Sequence, residues 1–139
     1  ITVNGDPDTA GVETSATLTI TGAANFTAAV IDLGHTTTGT GTIDASALTG
    51  AFSQGTDAAV GVTTIKGGSG DDTILGEADV ASTLSGGAGN DAITGGSKSD
   101  TITGGAGNDT ITLTDGGSAT TNDDIKGGAG NDVFSTTAG

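Results

Sequence analysis

Four aspartates stand where this chain could do chemistry. Asp72, Asp91, Asp109 and Asp132 each close a glycine-rich hexapeptide: GGSGDD at 67–72, and GGAGND at 86–91, 104–109 and 127–132. Glycine permits positive φ and close backbone approach, so such a hexapeptide turns tightly and aims its carbonyls inward. Carbonyl oxygens beside a carboxylate are ligands for a cation. Nothing comparable points to catalysis: the sequence holds no G-x-S-x-G, H-E-x-x-H or G-x-x-x-x-G-K. It has no Cys, so no disulfide or thiolate metal site can form. His35 lies alone in a Gly/Thr-rich stretch and reads as a surface residue. The pairs Asp71-Asp72 and Asp123-Asp124 set two acids side by side, but adjacent residues on a strand or turn point apart. Each pair reads as one ligand and one solvated neighbour, and no enzymatic activity is expected.

Composition supports a cation as the partner. The 139 residues carry 17 acids against Lys66, Lys98 and Lys126, a formal charge of −14. Nucleic acid and anionic membrane are disfavoured, because phosphate contacts need Lys and Arg. Leu, Ile, Val and Phe together make up less than one fifth of the chain. Few large apolar residues with a high net charge is the profile of a disordered chain, unless bound ions neutralise the charge and add folding energy. No apolar run is long enough for a transmembrane helix. The first residues lack a basic segment followed by an apolar one, so no signal peptide is expected there. The start at Ile1 suggests a fragment or processed product.

The elements that position the aspartates follow from the repeat. Each intact hexapeptide is followed by x-U-x, where U is a large apolar residue: a short strand with one side chain facing inward. Ile74, Leu84, Ile93, Ile102, Ile111, Ile125 and Phe134 fill that slot, a core too thin to fold about 70 residues unaided. Poorer units alternate with the intact ones: GEADVASTLS at 76–85, GGSKSDTIT at 95–103 and GGSATTNDDIK at 116–126. Turn, strand, turn, strand makes one coil, so consecutive units lie on opposite edges. One edge then receives the four intact turns and the other the three degraded ones. The expected fold is all-β, a parallel β-roll or β-solenoid.

At this spacing the chain resembles the RTX family of secreted bacterial proteins, whose G-G-x-G-x-D-x-U-x nonapeptides build calcium-binding β-rolls. The resemblance covers residues 67–139, about half the chain. It implies a calcium ion between each two stacked turns, held by positions two, four and six of one and positions one, three and six of the next. The first ion would use Gly68, Gly70 and Asp72 with Gly86, Ala88 and Asp91. The second would use Gly87, Gly89 and Asp91 with Gly104, Ala106 and Asp109. The third would use Gly105, Gly107 and Asp109 with Gly127, Ala129 and Asp132. Six oxygens, two carboxylates among them, suit Ca2+ better than smaller, strictly octahedral Mg2+. On the degraded edge Asp100 and Asp123, with Gly96 and Gly116, are weaker candidates. There the Lys98 ammonium could stand in for a missing ion.

Residues 1–66 lack the motif but alternate in 16–21, 26–33, 42–49 and 62–66, separated by Gly-rich turns. They read as a Thr/Ala/Gly-rich solenoid-like region preceding the calcium roll of 67–139. The run IDASALTG at 43–50 resembles stretches that precede such repeats in bacterial surface-layer and adhesin-like proteins. Asp6, Asp8 and Gly11 have the offsets that open an EF-hand loop, but Ala10 and Thr17 stand where its later acids belong, so a polar turn is the simpler reading. The resemblance implies a secreted, calcium-dependent structural or adhesive module at the bacterial cell surface, self-associating as a homo-oligomer or lattice. Its alternative is the calcium-folded region of a secreted protease or lipase whose catalytic domain lies elsewhere. The family's type I export signal normally follows the repeats and is not visible in the four residues after Ser135. Ice binding by Thr arrays is the weakest reading, because Thr-x-Thr does not recur at one period.

Overall fold

Short, alternating segments leave only strands to build with, and strands are what form. The computed structural model describes residues 2–4, 15–28, 40–54, 62–114 and 122–137, and every regular element among them is a β-strand. In chain order these are β1 (Thr2–Asn4), β2 (Ser15–Gly22), β3 (Phe26–Ala28), β4 (Thr40–Leu48), β5 (Phe52–Gln54), β6 (Val62–Lys66), β7 (Thr73–Leu75), β8 (Thr83–Ala88), β9 (Ala92–Thr94), β10 (Thr101–Ala106), β11 (Thr110–Leu113), β12 (Asp124–Ala129) and β13 (Val133–Thr136).

They form two sheets. One has seven strands in the order β1-β2-β4-β6-β8-β10-β12, the other six in the order β13-β11-β9-β7-β5-β3. From β2 onward the chain alternates between them, and neighbours within each sheet pair in parallel. β1 is the exception: it lies antiparallel on β2. This is a parallel β-roll, each coil resting only on the coils above and below it.

Register then stacks like on like. In the seven-stranded sheet Leu18, Ile43, Ile65, Leu84, Ile102 and Ile125 are successive partners. In the six-stranded sheet Ile74, Ile93, Ile111 and Phe134 are. Because side chains alternate along a strand, these point between the sheets while their Thr and Ser neighbours face outward. The inward residues are almost fully buried through Ile111, but Ile125 is only partly covered and Phe134 is 54% exposed. Phe134 therefore departs from its expected place in the core: it sits on the last described coil, with nothing described above it.

Sequence patterning located β2, β4 and β6. Of the expected strand 26–33, residues 26–28 form β3, and 29–33 lie outside the described residues. β5 was not anticipated. It matters because Ser53 pairs with Thr73, which sets Gln54 rather than Phe52 beside Ile74. The Gln54 Oε1 accepts the Leu75 N–H at 2.9 Å. Phe52 is left beneath Asp72, and its ring stacks on Phe26 with centroids 6.0 Å apart and planes 2° from parallel.

Candidate cation-binding edge

The intact turns all carry the chain from the seven-stranded sheet to the six-stranded one, between β6 and β7, β8 and β9, β10 and β11, and β12 and β13. The degraded turns all carry it back. The two edges thus separate as the alternation in the sequence requires, and the four turn-closing aspartates stack on a single edge.

Their carboxylates form a ladder. Asp91 Oδ1 accepts the Asp72 N–H at 2.8 Å, Asp109 Oδ1 the Asp91 N–H at 2.9 Å, and Asp132 Oδ1 the Asp109 N–H at 3.0 Å. Each carboxylate thereby spends one oxygen tying its turn to the turn below. The second oxygen is where the turns differ. Asp91 is 2% and Asp109 0% exposed, yet neither Oδ2 has a hydrogen-bond partner. A buried carboxylate oxygen without a donor is costly, and in a native protein it calls for a counter-charge.

The space beside those oxygens is shaped for one. A Cβ added at Gly86 would strike Asp91 Oδ2 and lie 2.7 Å from Gly104 O; one added at Gly104 would strike Asp109 Oδ2 and lie 2.6 Å from Gly127 O. Each first glycine thus opens a methyl-sized gap rimmed by a carboxylate of its own turn and a carbonyl of the next. The second and fourth glycines of these turns hold positive φ: Gly87 and Gly89, Gly105 and Gly107, Gly128 and Gly130. A Cβ at Gly105 would also strike Gly87 O, so no other residue fits. The donor set is oxygen only, two buried carboxylates with backbone carbonyls around them, which fits a hard divalent cation. Among the described residues no three His, Cys, Asp or Glu side chains are grouped so as to hold a metal ion by themselves. Several of the expected carbonyls also serve the backbone: Gly68 O accepts the Ala88 N–H at 2.9 Å, and Ala106 O the Gly89 N–H and Ala129 O the Gly107 N–H at 2.8 Å. A carbonyl has two lone pairs, so these bonds leave room for an ion.

Burial pushes Asp91 up to about 7, opposed by the Asp72 N–H and reinforced by the charges of Asp72, Asp109 and Asp71. Burial raises Asp72 as well, but the N–H groups of Phe52 and Gly68 oppose it. A carboxylate raised in the folded state binds a proton more tightly there than when unfolded. Its contribution is therefore full at low pH and is lost as pH rises from about 4 through about 7. In chelator, the strand signal in circular dichroism should be larger at pH 5 than at pH 8, and saturating divalent cation should abolish that difference. Equal strand signals at the two pH values in chelator would contradict the burial of an unpartnered Asp91.

The degraded edge is built otherwise at its aspartates, although Glu77 Oε2 there is also buried without a hydrogen-bond partner. Asp100 accepts the Ser82 N–H through Oδ1 and the Gly96 N–H through Oδ2, both at 2.8 Å, and Asp123 Oδ1 accepts the Asp100 N–H at 2.8 Å. The Lys98 side chain is exposed, and each Asp100 oxygen accepts a backbone N–H. Gly116, Asp6, Asp8 and His35 lie outside the described residues.

One feature of the intact edge was overlooked in the sequence. Position five, just before each aspartate, forms its own outer ladder. Asn90 N–H donates to Asp71 Oδ1 at 2.7 Å, Asn108 N–H to Asn90 Oδ1 at 2.9 Å, and Asn131 N–H to Asn108 Oδ1 at 2.8 Å. The signal was the thrice-repeated Asn of GGAGND. Asn keeps the accepting oxygen of Asp without adding a charge beside the buried carboxylates.

Comparison with known families agrees with this geometry. A family model described as the RTX calcium-binding nonapeptide repeat matches residues 59–80, 83–117 and 119–139, in four copies. No curated protein and no solved structure matches the chain.

Proposed function

Because this chain belongs to the RTX calcium-binding nonapeptide-repeat family, we propose that it is a calcium-folded structural module of a secreted bacterial surface protein, active through self-association and not through catalysis. The observation that carries the calcium reading is the pair of buried, unpartnered oxygens, Asp91 Oδ2 and Asp109 Oδ2, stacked one coil apart on the intact edge. Calcium would be held there between consecutive turns. The carbonyls of Gly87 and Gly89 with the Asp91 carboxylate would close on it from one side, and the carbonyls of Gly104 and Ala106 with Asp109 from the other. The same arrangement recurs one coil on with Gly105, Gly107, Asp109, Gly127, Ala129 and Asp132. The bound ion neutralises carboxylates that otherwise repel, so ion binding is folding free energy. Residues 67–139 are the calcium-dependent part, and 1–66 extend the roll without regular calcium turns.

Self-association follows the resemblance of IDASALTG at 43–50 to stretches that precede such repeats in bacterial surface-layer and adhesin-like proteins. Sedimentation velocity should show assemblies in millimolar calcium that dissociate in chelator. A wild-type chain that stays monomeric across calcium concentrations would reject self-association and favour a calcium-folded region serving a catalytic domain.

A further inference from the structure

The four intact turns share one motif but not one conformation. In the turns at 86, 104 and 127 the second and fourth glycines hold positive φ; in the turn at 67, Gly68 and Gly70 do not. The consequence falls on the carboxylate. Gly68 N–H points into its own turn and donates to Asp72 Oδ2 at 2.6 Å, while Asp72 Oδ1 accepts the Phe52 N–H at 2.7 Å. Each oxygen of Asp72 therefore accepts a backbone donor, where Asp91 Oδ2 and Asp109 Oδ2 accept none.

The closed form has a counterpart on the opposite edge. Gly96 N–H donates to Asp100 Oδ2, and the Ser82 N–H of the coil below donates to Oδ1. Turn 67–72 thus has an intact calcium sequence but the hydrogen bonding of a degraded turn. The cause lies beneath it. The coil below passes the edge through the short link Thr49–Ala51, and Ser69 N–H binds Leu48 O at 3.0 Å. The stacking itself is as close as in the other turns: a Cβ at Gly68 would strike Leu48 O, as one at Gly87 would strike Gly68 O, so what differs is the link beneath. Where the aspartate column would continue downward stand Phe52 and Phe26, stacked on each other. The edge changes from aromatic filling to carboxylates at Asp72.

We propose that Asp72 and its turn form a cation-independent clasp ending the ion column, and that calcium on this edge binds only above it: one ion between turns 86–91 and 104–109, one between 104–109 and 127–132. The gap at Gly67 is rimmed by Asp72 Oδ2 and Gly86 O like the others. There, however, the Gly68 N–H places a positive dipole where the ion would sit. This inference rests on the calcium reading above and narrows it from the three ions the repeat pattern implies to two.

Native mass spectrometry and calorimetric titration of the full chain with calcium decide between them. Two ions are expected for the wild type and two for Asp72→Ala. Asp91→Ala and Asp132→Ala should each retain one. At saturating calcium Asp72→Ala should still lower thermal stability, because it removes the acceptor of the Phe52 and Gly68 N–H groups. Three ions in the wild type, falling to two in Asp72→Ala, would overturn the clasp while leaving the calcium reading intact. No bound calcium in the wild type would overturn the calcium reading itself. Should Asp72→Ala fail to fold, the wild-type count of two or three still decides.

Discussion

Removing calcium is expected to convert residues 67–139 from strand to coil. Far-ultraviolet circular dichroism in chelator should lose most of its β signal, and calcium should restore it in a cooperative transition. The forces on either side are of similar size. The inward column contributes one large apolar side chain per strand, and its last two, Ile125 and Phe134, are incompletely covered. Against it stand the conformational entropy of a glycine-rich chain and a formal charge of −14. Two Ca2+ would bring that charge to about −10 and supply counter-charge to Asp91 and Asp109. At a calcium concentration of about 100 times Kd, each ion stabilises the folded state by about 2.7 kcal/mol. Two such ions match the lower range of net domain stability, about 5 kcal/mol. The earlier coils differ: Phe26 stacks on Phe52, and Leu18, Ile20, Ile43, Leu48 and Phe52 are buried there without an unpartnered carboxylate among them. Residual strand signal in chelator should come from these coils. A full β spectrum with chelator present would refute calcium-dependent folding of 67–139.

Asp109→Ala should be the most damaging single change on the intact edge. Asp109 is completely buried, its Oδ1 holds the Asp91 N–H, its own N–H is held by Asp132, and its free Oδ2 faces the gap at Gly104. It belongs to the turn shared by both proposed ions, so its loss should abolish both. At saturating calcium this costs about 5 kcal/mol, which for a chain of this length lowers Tm by roughly 10–20 °C. In chelator the same substitution should change stability far less, since no ion is there to lose. Asp109→Asn separates the two duties of the side chain. Its amide oxygen can still accept the Asp91 N–H, so it should preserve the ladder yet still lose calcium. An Asp109→Ala chain that binds as many ions as the wild type would remove Asp109 from the site.

Much of this molecule is determined by local sequence. The glycines at positions two and four answer to positive φ in the turns at 86, 104 and 127, and the apolar residue at position eight to the alternation of its own strand. Repetition therefore revealed the turns, the inward column and the separation of intact from degraded edges. The GGAGND copies even display the Asn ladder, since the same residue returns at the same place on every coil. Tertiary structure decided what depends on the coil beneath. GGSGDD reads like its three relatives, but its carboxylate is filled by the N–H groups of Phe52 and Gly68. Nothing within 67–72 announces this, because the register Ser53↔Thr73, from a strand with no motif, sets Phe52 below Asp72. At Asp100 too, donors from its own turn and from the coil below, the Gly96 and Ser82 N–H groups, decide what its carboxylate meets. In a roll each turn supplies only half of the oxygens and donors around its aspartate and the adjoining coil supplies the rest, so sequence marks the candidate ligands and stacking decides whether a cation or a backbone N–H satisfies them.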